Sequence, residues 1–244
     1  MSLLSNLAAP QDANIQGEED RLGGGGFVWD SGIHLVTVDL AYLQKSGSGA
    51  TGLFLVLKGE DKRELKQTLW MTSGTEKGCK TYFEKDGEKR YLPGFLHADA
   101  LALLTVGKHI HELATEMKTL KLYNSDAKAE VPTQVEVVTE LLGKEVLVGL
   151  IKQIVDKTTK TPQGYVPTGE TREENEIDKI FRARDRMTTV EILARKTEPE
   201  FHDAWKEKWT GQVKNRAKGA NGAAGAPRPT PTAAGSKPTT SLFG

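Results

Sequence analysis

Cysteine is almost missing from this chain of 244 residues: Cys79 is the only one. A disulfide within the chain is thereby excluded, and a reducing compartment fits. A lone thiol builds no cysteine zinc cluster, and His109 and His111, one residue apart with no third ligand at a metal-like spacing, do not replace it. Long hydrophobic runs are missing too. The longest, residues 53–57 and 146–151, fall far short of the roughly 20 residues that span a bilayer. Residues 1–6, Met-Ser-Leu-Leu-Ser-Asn, offer neither a basic stretch nor a long apolar one, so secretion is not expected. Net charge is zero, with Lys+Arg 33 against Asp+Glu 33, which removes the usual electrostatic footprint of a nucleic-acid-binding domain. Gly23-Gly24-Gly25-Gly26 is neither a Walker loop nor a dinucleotide fingerprint, because no Lys-Ser/Thr follows it and no strand precedes it.

What is present is uneven in its distribution. Residues 1–32 carry Asp12, Glu18, Glu19, Asp20 and Asp30 against Arg21 alone. Residues 210–244 carry Lys214, Arg216, Lys218, Arg228 and Lys237 with no acid. Residues 1–26 are polar and Gly-rich and read as a flexible acidic arm. From 211 to 244 the composition falls to Gly, Ala, Pro, Thr and Lys, a disordered basic tail whose end, Ser241-Leu242-Phe243-Gly244, turns apolar. The 37% of apolar residues is sufficient for one domain of moderate size between these ends.

Within that body, β-branched and aromatic segments alternate with turn signals. Strands are expected over residues 33–43, 53–58 and 64–71, with a loop at 46–49 and a turn at 59–62. Alternation sets Leu65, Leu69 and Met71 on one face of the third strand and Lys66, Thr68 and Trp70 on the other. A hairpin follows, 82–85 and 88–91 around the type I′ dipeptide Asp86-Gly87. After Pro93 a helix is expected with Leu96, Ala100, Leu103 and Leu104 on its buried face, and a second over 134–142 burying Val135, Val138, Leu141 and Leu142. A strand at 145–155 leads into a loop with Lys160, Pro162, Gly164, Tyr165 and Pro167. Residues 175–182 read as a strand, although Ile177, Ile180 and Phe181 also have helical spacing. Two helices close the folded part, each opened by a capping box, at 188–191 and 197–200.

This order implies a mainly β fold with added helices (α+β): a five-stranded OB-fold barrel over residues 27–186, carrying the inserted hairpin, with C-terminal helices over 187–210 packed on the barrel. In such a barrel single strands lie across strands two and three, clasped by the loops joining strands one to two and four to five. The DNA-binding candidates are then Lys45, Lys58, Lys66, Trp70, Lys157, Lys160 and Tyr165. The hairpin adds Lys80, Tyr82, Phe83, Lys85, Lys89, Arg90 and Tyr91. Cations neutralise phosphates while flat rings stack on bases without reading them. Each residue has a plainer reading: Trp70 as half-buried core, single lysines as solvated surface, the hairpin rings as a staple to the barrel. Phe201, Trp205 and Trp209, four residues apart, read as packing. The carboxylates from Glu170 to Asp178 read as a solvated acidic face rather than a metal-nuclease site. No catalytic residue, metal or cofactor is expected.

Four stretches carry a resemblance: residues 63–74 (RELKQTLWMTSG), 91–95 (YLPGF), 141–146 (LLGKEV) and 175–181 (NEIDKIF). Together they resemble tailed-bacteriophage single-stranded DNA-binding proteins, over about residues 30–186, with an echo in the terminal Ser-Leu-Phe-Gly. The resemblance implies an OB-fold protein of phage DNA replication or recombination, in the cytoplasm of an infected bacterium, that coats single strands without sequence specificity. It also implies contacts to replication proteins through the tail, with Leu242 and Phe243 as the hook. The alternative is a recombination-mediator or replisome interaction module, for which DNA is secondary. Such proteins often end in an acidic tail, whereas this one is basic, so autoinhibition by an acidic tail is not implied.

Overall fold

The computed structural model describes residues 28–124, 127–161 and 164–218. The arm at 1–26, most of the tail and the Leu242–Phe243 hook lie outside the described residues. What is described is mainly β with a few helices.

Three strands form an antiparallel meander, β1 (Gly32–Lys45), β2 (Thr51–Gly59) and β3 (Glu64–Trp70). The hairpin β4 (Tyr82–Lys85) and β5 (Glu88–Tyr91) stands as a separate two-stranded sheet. Asp86 and Gly87 adopt φ 54° and 79°, the left-handed pair a type I′ turn needs. Helix α1 (Pro93–Thr105) follows, then β6 (Thr115–Asn124), β7 (Ala129–Val138), β8 (Glu145–Thr161) and β9 (Gly164–Arg182). Helices α2 (Thr189–Leu193) and α3 (Glu200–Trp209) lead to the short β10 (Val213–Asn215).

The main sheet runs β3-β2-β1-β8-β9. β8 pairs with the first half of β1, from Gly32 to Thr37, while β7 meets β1 at Tyr42 and Leu43. β10 lies parallel to β8 at Lys152–Ile154, beyond the start of β1. The two end strands, β3 and β9, are not hydrogen-bonded to each other, so the sheet curls without closing.

Alternation explains the core. Leu53, Leu55 and Leu57 of β2, Leu65 and Leu69 of β3, and Val146, Val148 and Leu150 of β8 all turn inward and are buried. Each contributes roughly 1.5–3 kcal/mol relative to exposure. Helix α1 covers the open seam, touching both β3 and β9. Its buried residues are Ala98, Leu101, Ala102 and Leu104, whereas Leu96 is half exposed, so the expected buried face is rotated. Close approach decides this. A Cβ on Gly94 would collide with the Trp70 carbonyl, so the first turn of the helix lies directly against the end of β3 and fixes the rotation of the rest. Trp29 plugs one end: it is buried, and its backbone N–H and C=O are both bonded by the Asn175 amide at 2.8 Å.

Three further expectations change. Residues 134–142 are not a helix; residues 129–138 form β7, paired over ten residues with β6, a strand the pattern did not suggest, and a 3-10 turn follows at Thr139–Leu141. Val135 and Val137 alternate into a small second core with Tyr42, Phe54, Leu120 and Leu122 on the outer side of the meander. The loop expected near 160–167 is a long ribbon in which β8 and β9 stay paired to Thr161 and Gly164. Pro167 is accommodated opposite Thr158, beside an irregularity in the register. The capping box at 188–191 forms, but the one at 197–200 does not, since α3 starts after Pro199 with no side-chain cap of its own. The strand reading of residues 175–182 holds.

Candidate functional site

A groove of about 1300 Å³ lies along the open seam. One side is β3 with the β1–β2 loop at residues 45–49 and the segment 72–77. The other is the start of α1, the hairpin, and Glu176 and Ile177 of β9. Thr75 donates its N–H to the Ser48 carbonyl at 2.8 Å, tying the two loops of the first wall together.

Trp70 ends β3 on its outer face. Leu69 and Met71 beside it are buried, yet Trp70 keeps 40% of its surface exposed. The ring has a built seat: Gly52 is its cross-strand partner, and a Cβ there would come within 2.7 Å of both the indole edge and the Thr68 methyl. Only glycine lets the indole lie this close to β2. The exposure separates Trp70 from the buried Trp29 and Trp205.

The hairpin divides its aromatic residues between two roles. Tyr91 stacks on Phe95 of α1, ring centroids 5.0 Å apart, and so fastens the hairpin base. Tyr82 and Phe83 face the groove instead. The Lys80 and Lys89 ammonium groups sit 5.7 and 5.3 Å from the Tyr82 ring, on the cation–π scale.

Of the expected cations, Lys45 and Lys80 line the groove, and Lys85 and Lys89 are exposed on the hairpin. None of these four makes an ion pair among the described residues, and neither does Lys77, a groove lysine the sequence reading missed. Like Lys85 and Lys89, Lys58, Lys66, Arg90 and Lys157 are not in the groove lining. Lys58 bonds Asp39 at 3.1 Å and lies 3.7 Å from Glu64, and the Asp39 carboxylate raises its pKa. Lys66 pairs with Glu64 at 3.3 Å, Arg90 with Glu88 at 2.7 Å and Lys157 with Glu170 at 2.8 Å. Tyr165, 72% exposed, sits near the ribbon tip, with Lys160 opposite it in the ladder. The Lys160 side chain lies outside what is described.

His97 of α1 donates Nε2–H to the Asp178 carbonyl at 3.0 Å and holds the helix to β9. Burial lowers its pKa, so it stays neutral there. The side chain of the same Asp178 accepts from Trp205 Nε1 at 2.8 Å, so β9 is gripped from both faces. Trp205 is buried against Phe181 and Ile151, as expected of packing, while Phe201 stays 44% exposed with Lys179 over its ring. The acidic stretch of β9 is occupied by ion pairs: Glu173 with Lys152, Glu174 with Arg172 and Glu176 with Arg216. Lys77, His97 and the loop at 72–75 were missed because only the fold brings them beside β3; Gly47 and Gly49 marked the first loop, but the second was not read as one.

No protein-family model matches the chain, and no curated protein matches it.

Proposed function

We propose that the protein binds single-stranded DNA without sequence specificity, along the groove at the seam between β3 and β9. In this reading the five principal strands are an OB-type barrel left partly open. Their path, third-second-first-fourth-fifth with β8 and β9 as fourth and fifth, supports it, as does the helix standing between the third and fourth. One observation carries most weight. A tryptophan seated on glycine, half exposed on the third strand, shares a groove with Tyr82, Phe83 and with Lys45, Lys77 and Lys80, which make no ion pair among the described residues. Flat rings accept any base, and ammonium groups release counterions from phosphates. The resemblance to phage single-stranded DNA-binding proteins points the same way and suggests a role in phage replication or recombination, inside the infected host.

The test is fluorescence anisotropy of labelled oligo-dT with the full chain at two salt concentrations. Binding that weakens with salt, and weakens further in Trp70→Ala, is the expected result. No binding at low salt ends the proposal.

A further inference from the structure

Among the described residues the outer edge of β6 has no strand beside it: β6 pairs with β7 alone, in an unbroken ten-residue register. It contains neither proline nor glycine, and residues 115–119 are all exposed. A flat edge of this kind presents a row of unpaired N–H and C=O groups. The main sheet's other outer strands are shorter or better protected; β10 is only three residues long. β3 is flanked by α1, and the β9 side is interrupted by Pro167 and Gly169. Lysine on an edge ordinarily discourages pairing, but Lys118 has an acid two residues away on the same face, its Nζ 3.2 Å from Glu116 Oε2. Met117 projects from the opposite face with 62% of its surface exposed.

We propose that this edge pairs antiparallel with the same edge of a second copy, about a two-fold axis through Met117. A two-fold axis perpendicular to the sheet keeps each face on its own side, so residues that oppose one another are both even or both odd in number. Centring on Met117 then sets Glu116 opposite the partner's Lys118, twice by symmetry, and Thr115 opposite the partner's Thr119. The nearest allowed registers set Glu116 opposite the partner's Glu116, or Lys118 opposite the partner's Lys118, and like charges directly opposite destabilise. Only the Met117 register turns the existing ion pair into half of a four-charge ring of alternating sign. Pairing ends at a natural boundary, because the Ala114 N–H is already taken by Glu140 at 2.8 Å and Leu113 is buried. Five paired residues make a small interface, so the dimer is weak and concentration-dependent. It stands independently of the DNA-binding reading.

Cross-linking tests the register in the full chain with Cys79→Ser as background. Met117→Cys gives a covalent dimer on mild oxidation, since opposed residues lie about 5 Å apart. Thr119→Cys stays monomeric, because the two copies of that residue lie about four residues, or roughly 13 Å, apart. Adding Lys118→Glu to Met117→Cys suppresses the dimer, and adding Glu116→Lys as well restores it. The inference is overturned if Met117→Cys stays monomeric, if both cysteine variants cross-link alike, or if the charge swap fails to restore the dimer.

Discussion

Trp70 and Gly52 are read together because one is the seat of the other. If Trp70 stacks on a base, Trp70→Ala removes about 1–3 kcal/mol of binding, which is roughly a 5- to 150-fold rise in Kd. The melting temperature should change little, because the ring lies on the outer face. A large drop in Tm with unchanged affinity would instead assign Trp70 to packing. Gly52→Ala makes the same point from below. Its methyl must displace the indole or the Thr68 methyl, each only 2.7 Å from the new atom. The expected outcome is a smaller loss of affinity in the same direction, measured in the same anisotropy titration. His97 supplies a pH dependence. Burial lowers its pKa from 6.5, so the unfolded chain takes up a proton that the folded one resists. Its contribution to stability is therefore present above pH 6.5 and is lost as the pH falls through the depressed folded value. Urea unfolding between pH 7 and 5 should show a steeper loss for the natural chain than for His97→Gln, which does not titrate.

Glu191 links two elements. It is buried, and its Oε2 accepts from the Thr188 backbone N–H at 2.9 Å and hydroxyl at 3.1 Å, while Thr188 Oγ1 accepts from the Glu191 N–H at 3.2 Å. Its Oε1 accepts from the Phe201 N–H at 2.8 Å. One carboxylate thus caps α2 and also serves the first turn of α3, which explains why α3 needs no capping box of its own. Burial pushes the Glu191 pKa up, but the donated hydrogen bonds outweigh it and the net shift is downward from 4.5. The sign follows: the two caps are in full strength above pH 4.5 and weaken as the acid range is entered. Glu191→Ala should lower unfolding stability by about 2 kcal/mol at neutral pH, and Glu191→Gln by less, since an amide oxygen still accepts. The capping box that specifies this contact was legible at 188–191; the double duty was not, because Phe201 comes ten residues later. Legibility failed in the same way at β6 and β7. Val135, Val138, Leu141 and Leu142 satisfy a helical period while Val135 and Val137 satisfy an alternating one, and pairing with β6 selects the second. The ribbon was hidden by Gly164 and Pro167, which read as loop residues one at a time although a two-stranded ladder contains them.

A net charge of zero carries no information about the groove, because most of the cations expected to meet DNA outside it are already paired with acids, as Lys58, Lys66, Arg90 and Lys157 are. Local composition matters more. Lys45, Lys77 and Lys80 converge on one groove from a strand end, a 3-10 turn and the segment before the hairpin, and each is free of ion pairs among the described residues. Nothing in the order of the chain announces that convergence, whereas the three strands of the meander and the outward turn of Trp70 were readable. If these lysines neutralise phosphates, each contributes about 0.7 to the log–log salt slope for a single strand. Replacing Lys45 and Lys80 together by Gln should then flatten the slope by about 1.4 and weaken binding most at low salt. Replacing Lys58 and Lys66 should leave the slope nearly unchanged, since their acids hold them already. Anisotropy titrations at four salt concentrations distinguish the two pairs. Equal flattening by both would mean that DNA contacts the outer face of β2 and β3 as well as the seam, and flattening by Lys58 and Lys66 alone would move the binding surface off the groove while leaving the protein a DNA binder.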